Sequence, residues 1–133
     1  MDRVFLDANV LVSAALTPAS GLHDLWSAPA VRLLASPHVV EEARRNVRSP
    51  EARARLEQLL ARVAVLDAEP APMPVTDASG LPVKDVPVLV GAVAAGAGFL
   101  LTGDITHFGS LMGQRAAGVL VLLPGEYLRR HLG

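Results

Sequence analysis

The sequence predicts a three-layer α/β/α domain with a central, mainly parallel sheet of four to five strands. Three observations predict it. Short apolar runs recur along the chain, and several are apolar on successive residues, as strands covered on both faces are. Helix-start chemistry recurs between the runs, most clearly at Ser36-Pro37 and Ser49-Pro50. Acidic residues fall where runs end and helices begin, at Asp7, Asp85 and Asp104. Strands alternating with helices give a parallel sheet covered on both sides, with its ligand crevice outside the carboxyl ends of the strands.

The elements follow in order. Arg3–Leu6 reads as a central strand and Asn9–Leu16 as a helix. Ser20 caps a second helix over Gly21–Ser27, and Val31–Ala35 is the next strand. The two Ser-Pro signals open a helix after Ser36 and another that runs to about Arg62. A strand at Val63–Leu66 leads into Ala68–Pro82, a long loop rich in proline and small residues. After it come a helix at Val86–Ala95, a strand at Phe99–Thr102 and a turn or short helix near Phe108–Met112. A strand at Val119–Leu122 and a last helix from Gly125 complete the chain. No segment could bury its apolar surface alone, so residues 1–133 read as a single domain.

Composition narrows the function. Half of the 133 residues are apolar and the formal net charge is −1, so no global basic field marks a nucleic-acid binder. Cysteine is absent, which excludes disulfides and thiolate catalysis; with no secretory signal in view, a cytoplasmic protein is expected. The uncharged stretch Val86–Gly103 approaches membrane-spanning length, but Pro87, Gly91, Gly96 and Gly98 make it a buried helix followed by a buried strand.

Each acidic residue has two readings. Asp7 is a helix cap or a site residue. Asp85 is a cap before Val86-Pro87 or a site residue. Asp104 is a turn aspartate in Thr102-Gly103-Asp104 or a site residue. Jointly, three carboxylates at one sheet edge repel unless a cation neutralises them, and an oxygen-only donor set suits Mg²⁺ or Mn²⁺. A fourth comes from the helix after Ser36. There Val39, Val40, Ala43 and Val47 form the apolar arc, Glu42 lies at its edge, and Glu41 points outward among Arg44, Arg45 and Arg48. The alternative for Glu42 is a boundary residue with a buried stem.

The blocks FLDANVLVSA, SPHVVEEARRN and VKDVPVLVGAVAAGAGFLLTGDITHFG, in this order and separation, resemble a PIN domain, in particular the toxin-type ribonucleases of the VapC kind. The resemblance spans nearly the whole chain. It implies a PIN-like fold and a divalent-metal-dependent endoribonuclease that hydrolyses RNA phosphodiester bonds and leaves 3′-hydroxyl and 5′-phosphate ends. It places the acidic, metal-binding cluster on Asp7, Glu42, Asp85 and Asp104, with Asn9 and Thr102 orienting a carboxylate or water. Toxin-type members pair as homodimers and bind an antitoxin protein. The apolar first helices, Val10–Leu16 and Leu22–Trp26, offer a surface for such contacts, and core burial explains the same residues. Many members carry a further aspartate shortly after the position of Asp104. Here the chain reads Ile105-Thr106-His107-Phe108, which leaves His107 as a contact for phosphate or metal, or as a plain turn residue.

Six of the twelve basic residues lie from Arg44 to Arg62, either salt-bridged with Glu41, Glu51 and Glu57 or flanking the cleft. Lys84 is the basic residue next to Asp85. Trp26 and Tyr127 read as packing residues, not a stacking platform. Two other functions compete. One is a catalytically degenerate PIN-like domain that binds protein or RNA. The other is a phosphotransfer domain with Asp7 as nucleophile, which gives Glu42 no role.

Overall fold

Strand β1 (Asp2–Leu6) is the axis of the molecule. In the computed structural model, which describes residues 1–74 and 80–132, β1 pairs in parallel with β2 (Val31–Ala35) on one side and β4 (Phe99–Leu101) on the other. The full order is β3-β2-β1-β4-β6-β5, with β3 at Ala64–Val65, β5 at Arg115–Ala116 and β6 at Val119–Leu122. Among the described residues, only the β5–β6 pair is antiparallel. The chain steps outward from β1 through β2 to β3, then returns to the other flank of β1 for β4. This reversal puts the topological switch between β1 and β4, and the crevice expected there lies beyond their carboxyl ends.

Val4, Phe5 and Leu6 are fully buried although successive strand residues face opposite ways, so both faces of the sheet are covered. Helix α1 (Ala8–Leu16) packs against α3 (Pro37–Arg45) and α4 (Pro50–Leu60), and α5 (Val86–Ala94) lies against β2 and β4. The remaining helices are short: α2 (Asp24–Ser27), α6 (Ile105–Phe108) and α7 (Pro124–Tyr127). Ser36 and Ser49 cap α3 and α4 by accepting from the backbone N–H three residues on, with proline in the first turn of each. Gly91 lets α5 approach the sheet: a Cβ there would stand 2.9 Å from Cζ of the buried Phe5 ring.

Three differences from the sequence reading have physical causes. The sheet has six strands, one beyond the expected range, because β5 folds back on β6 through a tight turn with positive φ at both Ala117 and Gly118. Ala-Gly carries a weaker turn signal than Asn-Gly. The segment over Gly21–Ser27 divides into a 3₁₀ turn at Gly21–His23 and α2. The chain beyond Tyr127 winds into a π-helical turn over Leu128–Leu132. The apolar residues of α1 and α2 are core: Val10, Leu11, Ala14, Ala15, Leu25 and Trp26 are buried, and only Leu16 is substantially exposed. Core burial accounts for most of them, while Val12 and Leu22 are partly exposed. Part of the expected proline-rich loop, residues 75–79, lies outside the described residues. Among those described, no helix is long and apolar enough to cross a membrane.

Candidate active site

The sheet register builds the site. Leu6 pairs with Leu101, so the next residue of each strand, Asp7 and Thr102, emerges side by side at the carboxyl edge. The Asp7 N–H donates to Leu101 O at 3.0 Å and the Thr102 N–H to Leu122 O at 3.1 Å. Both residues are buried. The Thr102 hydroxyl donates to Asp7 Oδ2 at 2.8 Å and accepts from Asn9 Nδ2 at 3.2 Å and from the Asp104 N–H at 3.1 Å. Asn9 Nδ2 also lies 3.2 Å from Asp7 Oδ2, and Asn9 Oδ1 accepts from the Gly103 N–H at 2.8 Å. One hydroxyl and one amide thus tie the ends of β1 and β4 together around the Asp7 carboxylate. Gly103 suits this contact, since a Cβ there would crowd Asn9 Oδ1 at 3.4 Å.

The cap and site readings of the acids now separate. Asp7 does both: its Oδ1 accepts from the Ala8 N–H at 2.7 Å at the start of α1, while Oδ2 faces Thr102 and Asn9. Asp104 also does both. Its Oδ1 accepts from the His107 N–H at 3.0 Å and caps α6, which leaves Oδ2 for other work. Asp85 stands at the N-cap of α5 but makes no side-chain cap bond, so capping does not account for its carboxylate.

Asp7, Glu42, Asp85 and Asp104 line one cleft of about 600 Å³, together with Asn9, Ser13, His38, Arg45, Asn46, Lys84 and His107. Glu42 is half-buried on the inner face of α3, whereas Glu41 is exposed and 4.0 Å from Arg45. Ser13 and His38 escape sequence reasoning because neither sits in a charged pattern; only the packing of α1 on α3 turns them into the cleft. Burial pushes the Asp7 carboxyl above its ordinary value; bonds from Thr102 and Ala8 pull it back, and the charges of Glu42 and Asp85 raise it further. Among the described residues, no arginine or lysine pairs with any of the four acids.

His107 is the nearest countergroup. Its Nδ1 lies 2.8 Å from Asp104 Oδ2 and 3.0 Å from Asp85 Oδ2. These contacts are close but not aligned as hydrogen bonds, and the buried atoms Asp85 Oδ2 and His107 Nδ1 have no hydrogen-bond partner. Donor atoms of Asp85, Asp104 and His107 all fall within 4.8 Å of one another, close enough to share one cation. Crowded oxygen donors, two orphaned buried atoms and, among the described residues, no paired arginine or lysine together fit a bound divalent ion. Asp7 and Glu42 face the same cleft outside this tight trio.

The arginines between Arg44 and Arg62 are mostly engaged elsewhere. Arg44 makes a two-pronged pair with Glu57, Arg53 donates to the carbonyls of Val47 and Arg44, Arg55 to Ala15 O and Arg62 to Trp26 O. Only Arg45 of this group reaches the cleft, where Lys84 is the other rim cation. Trp26 and Tyr127 are buried, with Trp26 Nε1 donating to Leu59 O.

A PIN domain family model matches residues 3–106. The crystal structure of VapBC2 from Rickettsia felis bound to a DNA fragment from their promoter is similar in fold, with a TM-score of 0.63 and 16% identity, over 90% of this chain and 96% of that one. A search of curated proteins finds no match. With Asp7, Glu42, Asp85 and Asp104 gathered at the carboxyl edge of this sheet, and a family model that spans most of the sequence, the chain belongs to the PIN domain family.

Proposed function

We propose that the cleft is the active site of a divalent-metal-dependent endoribonuclease, and that the chain is the toxin of a toxin–antitoxin pair. The observation that carries the reading is the convergence of four carboxylates with no paired arginine or lysine among the described residues. Asp7, Glu42, Asp85 and Asp104 are the residues that would hold Mg²⁺ or Mn²⁺. The chemistry a divalent cation supplies when bound is acidification of water for in-line attack on phosphorus and neutralisation of charge on the leaving oxygen.

The chain's own residues do the rest. Asp7 already accepts three hydrogen bonds, one at Oδ1 and two at Oδ2, so about one of its four lone-pair directions stays open for a ligand. Thr102 and Asn9 fix the plane of that carboxylate. Arg45 and Lys84 stand on different elements at the rim and are placed to hold phosphates on either side of the scissile bond. Family membership supports RNA as the substrate, and the fold shared with a VapBC2 complex supports a protein antitoxin as partner. A homodimer in the cytoplasm belongs to the same reading.

The test is cleavage of a mixed RNA pool, with a DNA pool in parallel, in Mg²⁺, Mn²⁺ or chelator. We expect metal-dependent RNA cleavage leaving 5′-phosphate ends. A protein that binds RNA but cuts neither pool in either metal would be a degenerate binding module instead.

A further inference from the structure

Three residues after Asp104 the chain carries a histidine, and its imidazole is turned into the carboxylate cluster, with Nδ1 within 3.0 Å of both Asp85 Oδ2 and Asp104 Oδ2. We infer that His107 is a metal ligand, forming with Asp85 and Asp104 a mixed nitrogen–oxygen site that favours later first-row ions such as Co²⁺, Ni²⁺ or Zn²⁺ over Mg²⁺. The inference rests on the metal-dependent reading above and adds the identity of a ligand and the class of metal.

Geometry comes first. Two donors at right angles, each ~2.1 Å from one ion, lie about 3.0 Å apart. Nδ1 of His107 lies 2.8 Å and 3.0 Å from the two carboxylate oxygens, the spacing of neighbouring ligands around a single small cation. The orphaned atoms come second. A protonated His107 serving only as a counter-ion would aim its N–H along one carboxylate lone pair. Instead, Nδ1 and Asp85 Oδ2 are buried without a hydrogen-bond partner. Rigidity comes third. Asp104 Oδ1 is fixed by the His107 N–H, so the cap of α6 sets the spacing between Asp104 Oδ2 and the imidazole in the same turn.

The chemical consequence follows from the donor set. Mg²⁺ takes oxygen ligands and sheds water reluctantly, whereas imidazole binds the later transition ions well, and affinity climbs from Mn²⁺ toward Cu²⁺. Replacing an all-oxygen trio by two oxygens and one nitrogen therefore raises the affinity ratio of Co²⁺ to Mg²⁺.

The experiment titrates CoCl₂ and MgCl₂ separately into wild-type protein, His107→Asp and His38→Ala. It follows heat of binding, thermal stabilisation and the visible spectrum of Co²⁺, none of which needs catalysis. His38 is the other histidine lining the cleft, so its variant is the control. We expect the Co²⁺/Mg²⁺ affinity ratio to fall at least about tenfold in His107→Asp and to hold in His38→Ala, in line with the cost of disturbing a metal's ligand environment. Wild-type protein loaded with Co²⁺ should also show paramagnetically shifted imidazole proton signals, a readout that depends on no variant. An unchanged ratio in His107→Asp, with both ions still bound, overturns imidazole ligation and leaves the metal-dependent reading standing. A ratio that falls only in His38→Ala moves the nitrogen ligand to His38 and also overturns it. Wild-type protein that binds neither ion defeats the underlying reading as well.

Discussion

Strand β1 begins on one aspartate, Asp2, and is followed by another, Asp7, and the two are treated in opposite ways. Asp2, at its start, accepts a hydrogen bond from the Tyr127 hydroxyl at 2.7 Å. Beside it the Arg3 guanidinium donates to the carbonyls of Ala95 and Gly96 at the end of α5, where cations complement the helix dipole. Phe99, Tyr127 and His131 pack ring against ring over this end. Asp2, the Arg3 guanidinium and the Tyr127 hydroxyl all have partners there. At the other end, Asp7 shares a cleft with Glu42, Asp85 and Asp104, with no arginine or lysine paired to them among the described residues, and two buried atoms stay unpartnered. One end of the strand is closed for stability. The other holds acceptors in place at a cost in stability, which makes sense for groups that meet a ligand.

Substitutions should split along this line. Thr102→Val keeps the shape of a fully buried side chain but removes the hydroxyl that joins Asp7, Asn9 and Asp104. RNA cleavage assays should show a loss of about 10- to 100-fold, the usual cost of removing a group that orients a ligand. Activity within twofold of wild type would mean that Asp7 is positioned by other contacts. Gly91→Ala tests packing alone. Its added methyl meets Phe5 and Ser36, so we expect a loss of about 1–3 kcal/mol in denaturant unfolding, with cleavage per folded molecule retained. Tyr127→Phe sharpens the contrast from the closed end. Losing the bond to Asp2 should cost about 1 kcal/mol and leave cleavage untouched.

The subtlest effect is on pH dependence. Asp7 has its carboxyl raised above the ordinary 3.8 by burial, so the folded state keeps this proton where the unfolded chain has lost it. Its contribution to stability therefore grows as pH falls through the raised value toward 3.8. Asp7→Asn has no such proton. In chelator, the stability difference should shift in favour of wild type on acidification across that window, and parallel curves would show that Asp7 is not raised.

Much of this molecule was legible because local chemistry agreed with the tertiary result. The Ser-Pro caps started α3 and α4 where expected, and helical phase alone distinguished the inward Glu42 from the exposed Glu41. Asp7 and Asp104 reach one cleft because the parallel strands β1 and β4 end together, and Asp85 joins them from the start of α5, a consequence of topology rather than of any single motif. What stayed hidden depends on contacts between distant elements. The approach of His107 to Asp85 requires α6 to pack beside the start of α5, and no periodicity encodes that. The salt-bridged reading of the arginines from Arg44 to Arg62 names Glu41 and Glu57 among the partners, and Arg45 does lie near Glu41 and Arg44 does bind Glu57; which arginine takes Glu57 depends on how α4 packs against α3. Strand β5 was hidden by a turn of Ala117 and Gly118 whose sequence carries little signal.

The proposed function makes the carboxyl edge of β1 a metal-dependent nuclease site. Its most direct test is cleavage of an RNA pool by wild-type protein and by Asp7→Asn, each with divalent metal and with chelator. The account predicts cleavage by the wild type that chelator abolishes, and at least about 100-fold less by Asp7→Asn at unchanged fold, beyond the cost of losing a mere orienting group. Cleavage that persists in chelator, or full activity in Asp7→Asn, would contradict it.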